Sequence, residues 1–335
     1  MYSYAIIGFG ALGRSHAFYL DKMSKKRGDI YLKAICGTTA EEFSKSISLN
    51  LGSVNTADID IKNCSFYDDY KELIEKEKPD IIISAMPTFL HKEVAVFALN
   101  NGCHVFSEKP MAITPEACEN MMNAAEKNNR RLMIGQCLRF DAAYAKLKEY
   151  IDKETWGKPY RAEFARYSKM PRWTVNNWIL DPAQSGGCIL DMHVHDVDLI
   201  NWFFGVPDRL DSVVTHAKCE LESVFTRYYY DDGLFVTANA DWSLTDTYPF
   251  KSHCMVNFEK AVAEILNGAL TVYTEDEAIA VKLPETSYFE KEMESFINWV
   301  ADGIECDEIS AKSVYNTMKI AFEEINFAKA KEQQV

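Results

Sequence analysis

No run of about 18 uninterrupted apolar residues, the length a membrane-spanning helix needs, occurs in the chain, and no transmembrane segment is predicted. A C-x-x-C pair is missing too. The nine cysteines (Cys36, Cys64, Cys103, Cys118, Cys137, Cys188, Cys219, Cys254 and Cys306) are odd in number and scattered. That pattern excludes a disulfide framework and points to reduced, mostly buried thiols. Positive charge is scarce: 36 Lys and Arg against 50 Asp and Glu leave a net charge of −14. Such a chain repels nucleic-acid phosphates and anionic membrane surfaces, so neither partner is expected, although a local basic site for a small anion stays open. Internal repeats, low-complexity tracts and proline-rich linkers are absent. The opening segment MYSYAIIGFG has no basic region, long apolar stretch or cleavage site of a secretory signal, and a cytoplasmic location is expected.

What is present suits a soluble two-domain protein. The 335 residues exceed one ordinary core, and 47% hydrophobic with 26% charged residues is an ordinary globular composition. As far as about residue 137, apolar strand-like runs alternate with amphipathic helical ones: SYAIIGFG, a helix over about Leu12 to Met23, IYLKAICG, and a helix from about Ala40. A polar insertion over about Asn50 to Asn63 interrupts the rhythm, which resumes with DIIISAMP, HVFSEKP and RRLMIGQCL as strands between helices. Strands that are apolar throughout, each followed by a helix, predict a doubly wound parallel sheet covered on both faces. From about Leu138 the pattern changes to one helix (Ala142 to Asp152) and then mostly strands, with Asp232-Gly233 and Asn267-Gly268 as hairpin turns. The chain is expected to close with helices over about Glu290 to Val300 and Lys312 to Ala328. The expectation is therefore an α/β Rossmann domain over 1–137 and an α+β domain with a large open, mainly antiparallel sheet over 138–335.

Gly8-Phe9-Gly10-Ala11-Leu12-Gly13 follows the first strand and opens the first helix, the context that makes GxGxxG a dinucleotide-binding loop. Gly8 permits the tight turn, Gly10 lets a pyrophosphate approach the backbone, Gly13 lets helix and strand pack closely, and the helix amino terminus offers free N–H groups. The acid that normally grips the adenosine ribose at the end of the second strand is missing. Gly37, Thr38 and Thr39 stand there, with no Arg beside them for a 2′-phosphate, so the cofactor is read as NAD or NADP. Thr38 and Thr39 suit either ribose, or they cap the next helix. SEKP places Glu108 and Lys109 at the carboxyl end of a buried strand, the edge where open α/β sheets bind ligands, and neighbouring strand residues point to opposite faces.

The stretch GGCILDMHVHDVD, Gly186 to Asp198, adds two histidines and three aspartates. On a helix Asp191 and His195 share a face while His193 points away. Asp191 would then fix the tautomer of His195 and leave its other nitrogen to exchange a proton with a substrate hydroxyl. Asp196 and Asp198 read as a neighbour of the first turn and a helix-face acid. A metal site would need His193 and His195 to converge on a strand; the helical run VDLINWFF argues against it, and no metal is expected.

GxGxxG, MPTFLH at Met86 to His91, HVFSEKP and GG…LDMHVHDVD together resemble the Gfo/Idh/MocA oxidoreductase family over nearly the whole chain. The resemblance implies an NAD(P)-binding domain followed by an α+β domain. It also implies oxidation of hydroxyls on sugars, inositols or their derivatives, and dimers or tetramers. It assigns Lys109, Asp191 and His195 to catalysis, while Ala85, Met86, Pro87, His91, Glu108 and Lys109 itself are read as cofactor-side residues with the glycine loop. His91 reads as a structural or cofactor-side group. Arg139, Tyr167, Trp173 and Trp178 are candidate substrate contacts beside Lys109, Asp191 and His195, or simple packing residues. Met86 and Thr88 stand where the family more often has Thr and Asn. Two alternatives to net dehydrogenation remain: a glycoside-cleaving enzyme that oxidises a carbinol and returns the hydride to its product, and a nucleotide-sensing protein without turnover.

Overall fold

The computed structural model describes residues 1–43, 47–49, 52–54, 56, 58–306 and 309–332; Asn50, Leu51, Asn55 and Ala57 of the polar insertion lie outside them. Two compact units emerge, one of residues 1–137 and 287–312, the other of 138–286 and 313–335. Among the described residues no helix is long and apolar enough to cross a membrane.

The first unit runs β1 (Tyr2–Ile7), α1 (Ala11–Arg27), β2 (Ile30–Cys36), α2 (Ala40–Phe43), a small antiparallel ladder of β3 (Ile47–Leu49) and β4 (Gly52–Val54), and β5 (Ser65–Tyr67). It continues with α3 (Tyr70–Glu77), β6 (Ile81–Ser84), α4 (His91–Asn100), β7 (His104–Glu108), α5 (Pro115–Lys127) and β8 (Leu132–Gly135). Six strands form one parallel sheet in the order β5-β2-β1-β6-β7-β8. β6 and β8 are buried at every position, as strands covered on both faces must be. The chain winds outward from β1 through β2 to β5 and then restarts at β6 on the other side of β1. That reversal opens a ligand crevice beyond the carboxyl ends of β1 and β6.

The second unit holds α6 (Ala142–Asp152), β9 (Pro159–Lys169), α7 (Pro182–Ser185), a π-helical turn over Ile189–His193, and α8 (Val194–Phe204). The strands β10 (Arg209–Thr215), β11 (Ser223–Tyr229), β12 (Phe235–Leu244), β13 (Lys251–Phe258), β14 (Val262–Leu266), β15 (Ala269–Tyr273) and β16 (Ala278–Ala280) follow. With β9 they form an eight-stranded sheet in the order β10-β11-β12-β9-β13-β14-β15-β16, antiparallel except where β9 lies parallel to β12. Asn267 and Gly268 take positive φ of 48° and 87° between β14 and β15, the twist a two-residue hairpin turn requires. Burial alternates along β12 and β13. The buried face meets the helices, with Phe164 of β9 against Phe203 of α8. The opposite face carries exposed Val213 and Phe225, paired across β10 and β11, and exposed Tyr273.

Two features differ from the sequence reading. α9 (Tyr288–Ala301) belongs to the first unit, although everything after residue 138 was expected in the second; α10 (Ala311–Glu332) joins the second from Ser313 onward. Helix α9 buries Met293, Phe296 and Ile297, sets the Phe296 ring at a tilt to Phe106 of β7 with 5.8 Å between centroids, and pairs Glu290 and Asn298 with Lys22 and Arg27 of α1 at 2.7 and 2.8 Å. Its apolar face fits that sheet, and position along the chain gave no hint of it. The second difference is the π-helical turn, where an ordinary α-helix was expected from Ile189.

Candidate active site

The glycine loop is built as its residue types demand. Gly8 takes φ +90°, and a Cβ there would lie 2.5 Å from the Ala85 carbonyl oxygen; a Cβ on Gly13 would lie 2.0 Å from the carbonyl oxygen of Gly8. The loop and the end of β6 are thus in backbone contact, sealed by the Ala85 N–H donating to the Ile7 carbonyl at 2.8 Å. A Cβ on Gly10 would meet nothing within 4 Å. Gly10 also caps α1 without any side-chain hydrogen bond, and the first turn carries no acid. An exposed, uncapped helix amino terminus with open space before it fits a pyrophosphate. Phe9 is buried on Phe43 at 4.9 Å between ring centroids, so this residue can offer a ligand its backbone only. Of the two threonines after β2, Thr39 caps α2 by accepting the Glu42 N–H at 3.2 Å, and Thr38 is buried. Ala85, Met86 and Pro87 line the end of β6 half-exposed.

At the end of β7 Glu108 is buried and Lys109, just beyond it, is half-exposed. Glu108 Oε1 lies 2.6 Å from His16 Nε2, and its Oε2 accepts the Lys109 backbone N–H at 3.2 Å. Glu292 of α9 is buried beside it, and a Cβ on Gly135 would come within 3.5 Å of both carboxyl groups. Burial, and then the charge of Glu108, push the Glu292 carboxyl well above its ordinary range. Two expected cofactor contacts change character here. Glu108 is an internal anchor tied to His16, and His91 is a buried ring with Nδ1 2.7 Å from the Pro110 carbonyl and Nε2 2.8 Å from that of Met86. Burial holds the His91 pKa below its ordinary value against the pull of those two carbonyls. His91 is therefore structural, and its side chain has no exposed edge for a ligand.

The polar stretch of the second unit sorts by burial. Gly186 and Gly187 enter it with φ of +77° and +66°, and the Cys188 N–H donates to the Leu221 carbonyl at 2.9 Å. From Ser185 to Asn201 every residue is buried except Asp191 and His195. Each buried polar group has a partner elsewhere in the unit. Asp198 receives Arg139 Nε and Nη2 at 2.7 and 2.6 Å and the Thr317 hydroxyl at 2.8 Å. Asp196 receives Arg166 Nη2 and Nε at 2.8 and 3.2 Å. His193 Nε2 lies 3.2 Å from the Tyr228 hydroxyl and 3.4 Å from Glu324 Oε1, and Tyr228 donates to the same carboxylate. Burial opposes a charged His193, yet the Glu324 carboxylate outweighs it and raises the pKa.

Arg139, expected to reach substrate, is instead 2% exposed and consumed by Asp198 and Ser313. A bidentate pair with a buried carboxylate outcompetes a solvent-facing role, because an unpaired guanidinium in that place would be costly. Asp196 and Asp198 are likewise buried ion-pair partners and not surface acids. Tyr167 lies half-exposed on β9 and accepts the Asn239 side-chain N–H at 2.9 Å; Trp173 is exposed and Trp178 half-buried. Among the described residues no cluster of three or more His, Cys, Asp or Glu is placed to hold a metal ion.

Comparison with known proteins assigns both units. A family model described as an oxidoreductase family with an NAD-binding Rossmann fold matches residues 2–136, and a Gfo/Idh/MocA C-terminal domain model matches residues 144–264. An inositol 2-dehydrogenase of Salmonella typhimurium is 26% identical over 270 residues, 78% of this chain and 72% of the relative. A D-glucoside 3-dehydrogenase of Escherichia coli is 29% identical over 216 residues, 64% of this chain and 56% of that protein. The solved structure of a UDP-N-acetylglucosamine 3-dehydrogenase from Acidithiobacillus ferrooxidans superposes with a TM-score of 0.77 at 20% identity, covering 98% of both chains, and shares the fold.

Proposed function

The chain belongs to the Gfo/Idh/MocA oxidoreductase family, and we propose that it oxidises a ring secondary hydroxyl of a sugar, inositol or glycoside by hydride transfer to NAD or NADP. The observation that carries this reading is the partition of the Ser185 to Asn201 segment, which buries everything except an acid and an imidazole four residues apart. The relatives named as inositol and glucoside dehydrogenases support the substrate class.

NAD or NADP, when bound, supplies the hydride acceptor. Gly8, Gly10, Ala11, Leu12 and Gly13 would hold its pyrophosphate at the start of α1, and Ala85, Met86 and Pro87 would border it at the end of β6. The chain's own residues handle the proton and the charge. His195 takes the hydroxyl proton and Asp191 orients and stabilises the ring. The Lys109 ammonium steadies the oxygen as negative charge develops on it. Tyr167, Trp173 and Trp178 are the proposed ring contacts, and Arg139 is withdrawn from that set. We also propose that the uncovered face of the eight-stranded sheet, with Val213, Phe225 and Tyr273, buries against a second copy of the chain to give a dimer or tetramer.

A panel of inositols, hexoses and glycosides, offered with NAD and with NADP, tests the reading. Net cofactor reduction is the expected result. Lys109→Ala and His195→Ala should each lower turnover by about 10²–10⁴ while leaving nucleotide binding intact. Full activity in both variants refutes the assignment of roles. Glycoside cleavage without net reduction identifies the hydride-returning reaction instead, and tight nucleotide binding with no turnover on the whole panel identifies a sensor.

A further inference from the structure

The ladder between β6 and β7 is in register as far as Ser84 opposite Ser107. Beyond it the two strands run into the loops of Met86 and of Lys109-Pro110. The His91 ring stands between those loops, its two nitrogens facing the carbonyl oxygens of Met86 and Pro110 at 2.8 and 2.7 Å. It is 1% exposed and opens α4, whose Val94, Ala95, Ala98 and Leu99 are buried in the same unit. A neutral imidazole carries one N–H and donates to only one of the two carbonyls, leaving a bare nitrogen opposite the other oxygen; a protonated ring donates to both. In either form the buried ring lies between the two loops and spaces them, and it is hydrogen-bonded to at least one. On the other side Lys109 is held by its own N–H donating to Glu108, which His16 secures in turn.

We infer that His91 is a positioning residue for Lys109: its imidazole couples the loop after β6 to the loop after β7, and so keeps the Lys109 ammonium in register with the nucleotide-binding edge of the sheet. The inference rests on the proposed role of Lys109, although the coupling of the loops does not. A side chain without ring nitrogens should loosen both loops together. A side chain that reaches one carbonyl should loosen only the other.

Hydrogen exchange of the full-length protein, read by mass spectrometry, tests this. In His91→Phe, which keeps a ring and loses both nitrogens, exchange should quicken about five- to tenfold in the peptides spanning 84–90 and 105–112 alike. In His91→Asn, whose amide sits where Nδ1 does, the 105–112 peptide should return to the rate of the unsubstituted protein and the 84–90 peptide should not. His91→Asn also carries the test if the phenylalanine variant fails to fold. On a substrate from the panel above, His91→Phe should lower kcat about tenfold or more with the KM for NAD held within about threefold. Exchange at 105–112 within twofold of the unsubstituted protein in both variants overturns the inference. So does a rise in the KM for NAD at unchanged kcat, which would make His91 a nucleotide-binding residue. A protein that turns over nothing on the panel, yet shows the coupled exchange, leaves the clamp standing and removes the dehydrogenase reading instead.

Discussion

Replacing Glu292 by glutamine should stabilise the protein, and by an amount that grows with pH. Glu292 is fully buried, and neither carboxyl oxygen has a hydrogen-bond partner among the described residues. Burial first and the Glu108 charge second lift its pKa well above the ordinary 4.5. In the folded protein the group therefore stays protonated at pH values where the unfolded chain has already released that proton. A raised acid pKa means that unfolding gives up a proton, so stability falls as pH climbs from 4.5 towards the folded value, by about 1.4 kcal/mol per pH unit. Glutamine has nearly the same shape and does not titrate. The two proteins should accordingly differ by a small fixed offset near pH 4 and by a gap that widens by about 1.4 kcal/mol per pH unit above 4.5 for as long as the folded carboxyl keeps its proton. For a unit of this size each further pH unit in that range is an additional gain of about 3–6 °C in Tm. Calorimetric melts at pH 4, 5, 6 and 7 would show it in the transition that NADH binding moves upward, since a nucleotide stabilises the unit that holds it. A gap that stays constant across this range would refute a buried neutral carboxyl.

Three other outcomes follow from the geometry. Gly13→Ala puts a methyl 2.0 Å from the Gly8 carbonyl oxygen, so the turn must open; NADH binding, followed by fluorescence, should weaken at least about tenfold, and an affinity within twofold of the parent would refute the tight turn. Asp198→Ala leaves the Arg139 guanidinium buried without its carboxylate and should cost about 3–5 kcal/mol in urea unfolding, whereas a cost below about 1 kcal/mol would mean the charge finds water. Phe225→Asp sets a charge on the uncovered sheet face and should yield monomers by light scattering at micromolar concentration where the parent is an oligomer; a parent that is itself monomeric removes the self-association proposal.

What could be read in advance follows the range of the forces involved. The parallel sheet and the glycine loop are local: apolar strands such as IIIS announce two-sided burial, and the order of Gly8, Gly10 and Gly13 states its own steric reasons. The groups misjudged all depend on partners far along the chain. Arg139 meets Asp198 across 59 residues, Glu108 meets His16 across 92, and α9 joins a sheet completed some 150 residues earlier. A charged side chain seen in sequence alone is assigned to water or to a ligand, and nothing local marks the tertiary partner that will bury it. The π-helical turn has no signal we can identify in the residues that form it.

The buried ion pairs bear on the candidate site in a way that their modest net stabilisation would not suggest. Exchanging such a pair for well-packed apolar groups is often neutral or favourable, so stability alone gives little reason to set Arg166 against Asp196 and Arg139 against Asp198 on one turn of helix. What ionic pairs supply and apolar contacts do not is direction: each bidentate fork fixes its carboxylate in rotation as well as position. Asp196 and Asp198 belong to the turn that presents His195, and His193 locks the turn before it to Tyr228 and Glu324. A helix fastened at His193, Asp196 and Asp198 cannot roll to pack its apolar face more favourably. Asp191 and His195, the two residues left half-exposed, therefore sit on a segment of fixed orientation, which the proposed proton-transferring role would require and a merely stable helix would not.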